Sequence, residues 1–313
     1  MHRYIVKRLL FLIPTIFGVT LIIYAIMAMT PGDPGRAVLG VNAPQADVDE
    51  YNHMLGYDRP FLEKYLNYMK NIILHQDFGV SYFTKQPVFD EVLPRYSLTI
   101  KLAVVGVALA ALIGVPLGIK AAVKQYSLWD TIPSVMAFFI AAIPQFVLGM
   151  ILMFIFALKL NLLPSYGTGS IQHYIMPILA IAIPPAAQNM RFTKSSMLEE
   201  IRQDYVRTAR AKGAEERTVI WKHVLRNALL PVVTQIGMSL GMLIAGTVVV
   251  EKLFTLPGIG SLIVDRITFK DEPVILAGTI LISIAFTLVM LLVDITYAFI
   301  DPRIRAKYTR TRG

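Results

Sequence analysis

Asp204, Arg207, Arg210, Lys212, Glu215 and Glu216 crowd around Gly213 in a chain that is otherwise poor in charge. Their order follows the electrical polarity of helices, which favours acids at N-termini and bases at C-termini. Asp204 can cap a short helix over Tyr205–Lys212, with Arg210 and Lys212 at its negative end. Gly213 then fills the left-handed position at which helices commonly stop. Glu215 and Glu216 open a further helix that closes near Lys222, His223 and Arg226, and upstream Ser196 with Glu199 has capping-box spacing. The result is a helix–glycine–helix elbow on which a soluble partner can push. The plainer alternative is a basic loop that serves only topology and attraction to anionic lipid.

Catalytic chemistry finds no foothold. There is no cysteine, and the five histidines match no metal-ligand spacing. No G-x-x-x-x-G-K-[ST], H-E-x-x-H or G-x-S-x-G occurs, so catalytic residues, metal ligands and a cofactor of this chain's own are not expected. A second polar set lies within or at the ends of apolar runs: Gln145, Gln188, Asn189, Gln235, Ser239 and Thr247. These side chains either line a cavity or bond to their own and neighbouring helices. Asp294 lies in the last apolar run, a structural carboxylate or a coupling group, while Lys101 and Glu251 stand where they can snorkel to an interface.

The elements that must carry these residues are membrane helices. Of 313 residues 55% are hydrophobic and 16% charged, with no Asp, Glu, Lys, Arg or His over 9–32, 102–119, 131–158, 174–190, 227–250 and 273–293. About 20 apolar residues cross a bilayer as a helix. The expectation is an all-α, polytopic membrane protein with six transmembrane helices, about 9–29, 98–120, 132–158, 174–191, 231–251 and 275–299. With the N-terminus inside, nineteen Lys and Arg fall on the inner segments and eleven on the outer ones, whereas acids number seven and thirteen. That bias places both termini in the cytoplasm and accounts for the net charge of +9 without nucleic acid. The first apolar run exceeds a secretory h-region and has no clear cleavage site, so it is expected to remain as a helix.

The organisation is then 1–96, a helix with a long external loop, and 97–313, a five-helix core bearing the loop 191–230. In the external loop Phe61, Leu62, Tyr65, Leu66, Met69, Ile72 and Ile73 recur at helical spacing behind Pro60. This predicts an amphipathic helix that lies on the outer surface or over a gate, or simply packs the loop down. Pro177, Pro184 and Pro185 in the fourth run suggest an interrupted helix beside a transport pathway, or a kink for packing alone.

Thr208-Ala209-Arg210-Ala211-Lys212-Gly213, with Asp204-Tyr205 before it and Arg226-Asn227-Ala228-Leu229-Leu230-Pro231 after it, resembles the coupling loop of ATP-binding-cassette importer permeases. The similarity extends through Pro31-Gly32-Asp33-Pro34, Leu55-Gly56-Tyr57-Asp58-Arg59-Pro60, Phe78-Gly79-Val80-Ser81, Arg191-Phe192-Thr193-Lys194-Ser195-Ser196, Pro257-Gly258-Ile259-Gly260 and Asp301-Pro302-Arg303-Ile304-Arg305. So many pieces in one order resemble the first permease subunit of the dipeptide/oligopeptide branch. Where the wider importer pattern begins Glu-Ala-Ala, this chain has Arg207-Thr208-Ala209, a start that the peptide branch also carries.

The resemblance implies the type I importer permease fold and a coupling role for Asp204, Arg207, Ala209, Gly213, Glu215 and Glu216. It implies a second homologous permease, two ATPase subunits holding ATP and Mg, an external peptide-binding protein, and a bacterial inner membrane. The competing class is an ion-coupled carrier or channel, which would draw on Asp294.

Overall fold

The computed structural model describes residues 2–30 and 32–300. Pro31 and the Asp301–Arg305 motif, with the basic tail that follows, lie outside the described residues. Regular structure among the described residues is helical, apart from one isolated bridge between Val80 and Pro87. The helices are α1 (His2–Met29), α2 (Pro34–Leu39), α3 (Gln45–Met54), α4 (Phe61–His75), α5 (Val88–Val123), α6 (Leu128–Ala142) and α7 (Gln145–Leu152). After α7, a π-helical stretch covers Met153–Lys159. Next come α8 (Gln172–Ile201), α9 (Asp204–Ala211) and α10 (Glu216–Thr218), followed by π turns over Val219–Val224. The chain ends with α11 (Leu225–Gly246), α12 (Val248–Leu253), α13 (Ile259–Thr268) and α14 (Glu272–Ile300).

Among the described residues, four helical stretches are long and apolar enough to cross a membrane: Leu9–Met29, Val88–Val123, Glu216–Ile244 and Glu272–Thr296. A bent pair, Leu128–Ala142 with Gln145–Lys159, makes a fifth. The six expected spans are therefore not all matched. The fourth, within α8, turns polar at Gln188, Asn189, Arg191 and Lys194. One further expectation is reversed. The third span is not one helix, because its halves meet at 105°. Ile143 is extended (φ −88°, ψ 121°), as a residue before proline prefers, and Pro144 caps the second half. The fourth span, for which the sequence left open an interruption or a kink for packing alone, is not interrupted: it runs through Pro177, Pro184 and Pro185 for 30 residues. Ser196 consequently sits inside α8, not at a helix start, and its hydroxyl donates to the Ala228 carbonyl at 2.8 Å.

The described residues form two compact units: one from 6–100 with 257–287, the other from 2–5 with 101–256 and 288–300. The second is built on a seam of small residues. A Cβ placed on Gly114 of α5 would lie 2.3 Å from the Ala186 carbonyl oxygen of α8, and one on Gly118 2.6 Å from that of Met190. Ala110, Ala182 and Ala186 line the same seam, and Ala121, Ala137, Ala187 and Met190 extend it to α6. Close approach of small residues replaces the hydrophobic drive that lipid cannot supply between helices. At one end of the seam Asp130 of α6 is buried in an ion pair with Lys194 of α8, and it also accepts from Ser134 Oγ at 3.1 Å.

In the first unit, Phe61 does open an amphipathic helix, α4, with Pro60 as its N-cap. Tyr65 and Met69 bury against Tyr24 and Leu276. Tyr65 also donates to the Phe17 carbonyl at 2.9 Å, so α4 packs onto α1. Beyond the first helix, Lys270 donates to the carbonyls of Thr30 and Gly32. Its neighbour Asp271, fully buried, accepts from Ser81 Oγ at 2.5 Å and from the Tyr82 amide at 2.9 Å. Burial pushes the Asp271 carboxyl above the ordinary aspartate range, against the pull of Ser81, the backbone amides and Arg266. An acid raised in this way costs least when protonated, so its cost to stability grows as pH rises from the unfolded value through the folded one. Asp271→Ala strands these buried donors and should lower stability by about 3 kcal/mol. Asp271→Asn, with the shape of the protonated acid, should lose less than half of that. Thermal melts of the purified chain in detergent check the ranking, and equal losses would show that shape and acceptor count do not matter there.

Candidate coupling elbow and translocation cavity

The elbow forms on the end of α8. Gln203, not Asp204, is the N-cap of α9, and Asp204 occupies the first turn, where its carboxylate lies 3.8 Å from Arg207. That placement still suits the positive end of the helix. One face of α9 is anchored: Val206 is fully buried with Met197, Val219, Val224 and Ala228, and Ala209 and Ala214 pack against the cluster. The opposite face carries Asp204, Arg207, Thr208 and Lys212 into solvent. The Arg207 side chain is 78% exposed and that of Asp204 98%.

Gly213 has φ +79° and nothing within 4 Å of where a Cβ would stand. It is therefore glycine for its backbone sign and not for space. Across this corner Arg210 donates twice to Glu216, at 3.0 and 2.7 Å, in a fork that ties α9 to α10. Glu215 is the N-cap of α10. A second brace joins the arms at their base, where Tyr205 donates to Glu200 and accepts from Asn227 Nδ2 at 2.9 Å. Partial burial, with the Glu200 contact adding to it, pushes the Tyr205 phenol up to about 12. The coupling residues named from sequence thus divide by role. Asp204, Arg207 and Glu215 are exposed, Ala209 and Gly213 shape the corner, and Glu216 locks it.

A cavity of about 660 Å³ lies between the broken α6–α7 helix and α8. Gln145 reaches it because the break at Pro144 makes it the first residue of α7, and Gln188 reaches it from α8. Ile181, Pro184 and Pro185 form another part of the wall. Proline leaves the carbonyl four residues earlier without its helical donor, so this wall is where α8 has backbone oxygens to offer. Arg191 and Ser195 also line the space, and the sequence reading passed over both. The only available signal was their i+3 and i+7 spacing from Gln188.

The other pathway candidates are placed elsewhere. Asn189 is fully buried in the α5–α8 seam beside Gly114, and neither of its amide atoms has a hydrogen-bond partner. Ser239 donates to the Gln235 carbonyl at 2.9 Å, and the Gln235 amide turns back to Ser239 at 3.5 Å along α11. Thr247 donates to buried Glu251 at 2.8 Å.

Comparison with known proteins fits this geometry. Residues 114–306 match the family described as binding-protein-dependent transport system inner membrane component, and residues 1–103 match its N-terminal counterpart. The chain belongs to that family. The glutathione transport system permease protein GsiC of Escherichia coli strain K12 is 41% identical over 307 residues, covering 98% of this chain and all of the relative. The protein of the same name from Shigella dysenteriae serotype 1 is equally similar over the same coverage. Among solved structures, the MetNI methionine ABC transporter in inward-facing form superposes with a TM-score of 0.54 at 17% identity, covering 67% of this chain and 96% of that one. An amino acid ABC transporter superposes with a TM-score of 0.52 at 14% identity, covering 67% and 92%. The fold is that of type I ABC importer permeases, and the chain is a membrane-spanning permease subunit of an ABC importer of the peptide type. These relatives support the importer and give nothing to the ion-coupled carrier.

Because the chain has no cysteine, single cysteines report cleanly on the cavity. Gln145→Cys and Gln188→Cys should react with a water-soluble thiol reagent roughly tenfold faster than Asn189→Cys, since exposure governs thiol reactivity. Mass spectrometry of the labelled full-length chain measures it, and a fast-reacting Asn189→Cys would mean that the seam opens to water.

Proposed function

We propose that this chain forms half of the translocation pathway for short peptides, among which a tripeptide such as glutathione is a natural size, in an importer fed by an external binding protein. The cavity between α6–α7 and α8 carries the reading: it combines two carboxamides, a hydroxyl and a cation with apolar walls. Such a lining accepts amide backbones of varied side chains without demanding one of them. The identity to permeases named for glutathione transport supports a peptide-sized cargo.

In this reading ATP and Mg are bound by two separate ATPase subunits, since the chain carries no P-loop sequence. Asp204, Arg207 and Glu215 face those subunits, while a second homologous permease completes the pathway. Both termini and the elbow lie in the cytoplasm of a bacterial cell, on the side favoured by the excess of Lys and Arg. Transport proceeds by alternating access. ATP closes the ATPases and moves the elbows, and the binding protein releases its peptide into the outward-open cavity. Hydrolysis then restores the inward-open state. Each ligand shifts the balance only by its difference in affinity for the two states.

Two measurements test this. Gentle purification of the tagged chain from its native membrane should recover two ATPases and a second permease, whereas recovery of the chain alone would overturn the importer assembly. In the reconstituted complex, Gly213→Val should leave insertion and assembly intact while separating ATP hydrolysis from peptide uptake. Gly213→Asn should retain more uptake than Gly213→Ala, because asparagine tolerates positive φ better. The reverse order would make space, not backbone sign, the requirement at the corner.

A further inference from the structure

Beside the elbow a groove of about 600 Å³ runs between the last turns of α5 and the segment that follows Gly213. Its floor is apolar, formed by Ile119 and Val123 of α5 and by Ile220. Its rim is cationic, with Lys120, Lys124 and Arg217. One acid stands there, Glu216, and it is already held by the two bonds from Arg210. The groove therefore presents three positive charges over a greasy floor, with its own carboxylate neutralised.

Of the chain's two tryptophans, one lines the groove and the other touches a lysine of its rim. Trp221 forms part of its wall and is 58% exposed. Trp129 is 50% exposed and receives Lys120, whose ammonium stands 2.9 Å from the ring centroid. Exposed tryptophan beside lysine is characteristic of the headgroup layer of a bilayer. Depth along α5 agrees. Leu112 and Ile113 are exposed on its apolar stretch, and Lys120 follows about 12 Å further along at 1.5 Å per residue. The boundary between hydrocarbon and headgroup thus crosses the groove itself.

We propose that this groove is a binding site for one anionic phospholipid of the leaflet on the elbow's side. An acyl chain lies on Ile119, Val123 and Ile220, and the phosphate sits among Lys120, Lys124 and Arg217. A zwitterionic lipid fits less well, because its ammonium would face three cations with no free carboxylate. Basic pockets beside membrane helices on that side are recognised by anionic headgroups in the same way. The site depends on the membrane setting of the chain and not on the identity of its cargo. Bound there, the lipid ties α5 to the segment that leads from the elbow into α11.

The two tryptophans supply the readout. In the full-length chain, purified in neutral detergent, all tryptophan emission comes from Trp129 and Trp221. Phosphatidylglycerol with brominated acyl chains should quench it at a mole fraction at least fivefold lower than brominated phosphatidylcholine. The combined change Lys120→Gln, Lys124→Gln and Arg217→Gln should abolish the preference. Lys124→Gln alone should weaken it, which keeps the test open if the triple variant fails to fold. Equal quenching of the wild type by both lipids, or an undiminished preference in the triple variant, overturns the proposal. In the assembled transporter, a photo-crosslinking residue replacing Trp221 should capture phospholipid. Capture of a partner subunit instead would show that protein covers the groove, and would also overturn it.

Discussion

Contact of α5 with α8 at Gly114 and Gly118 is the constraint on which the larger unit depends. A side chain at either glycine would strike α8 backbone, so the two helices meet at the closest distance polypeptide permits. Inside a bilayer this intimacy substitutes for hydrophobic drive. It also sets the positions of everything carried by α8: Lys194 meets Asp130, Gln188 faces the cavity, and the end of the helix bears the elbow. Alanines extend the seam to α6, which brings the broken span against the same scaffold.

The elbow was readable because its signals are local. Acids at helix starts and one glycine at a left-handed corner need no tertiary knowledge, and the cap of α9 was missed by one residue. The helix expected to close near Lys222, His223 and Arg226 instead runs on from Glu216 through π turns into α11, so bases there do not mark a helix end. The break at Pro144 was not readable in that way. Pro133 lies inside α6 and Pro184 inside α8 without ending either helix, whereas Pro144 ends one. The residue type is the same, so packing around each proline decides, and packing is not local in sequence. The same reason explains Ser196, whose capping-box spacing is genuine while its partner is a carbonyl 32 residues away. Amide and hydroxyl residues within apolar runs showed the same ambiguity. Gln145 and Gln188 reach a cavity, while Gln235 and Ser239 satisfy one another along α11.

The two units solve different problems with buried charge. In the smaller one, Asp271 and Lys270 hold loop backbone and a serine in place. In the larger one, buried Asp130 pairs with half-buried Lys194 and joins two membrane helices. Removing one partner from either arrangement leaves an uncompensated group, which costs more than the interaction contributes when intact.

The bidentate bond from Arg210 to Glu216 changes what the glycine beside it means. A free glycine corner would be compliant, and a stroke applied to α9 would be dissipated as bending before it reached α11. With the corner pinned on one side by that fork and on the other by the buried Val206 cluster, the elbow has little slack. In mechanical terms the segment is a crank whose backlash has been removed, so that a displacement imposed on α9 would reach α11 with little lost to bending.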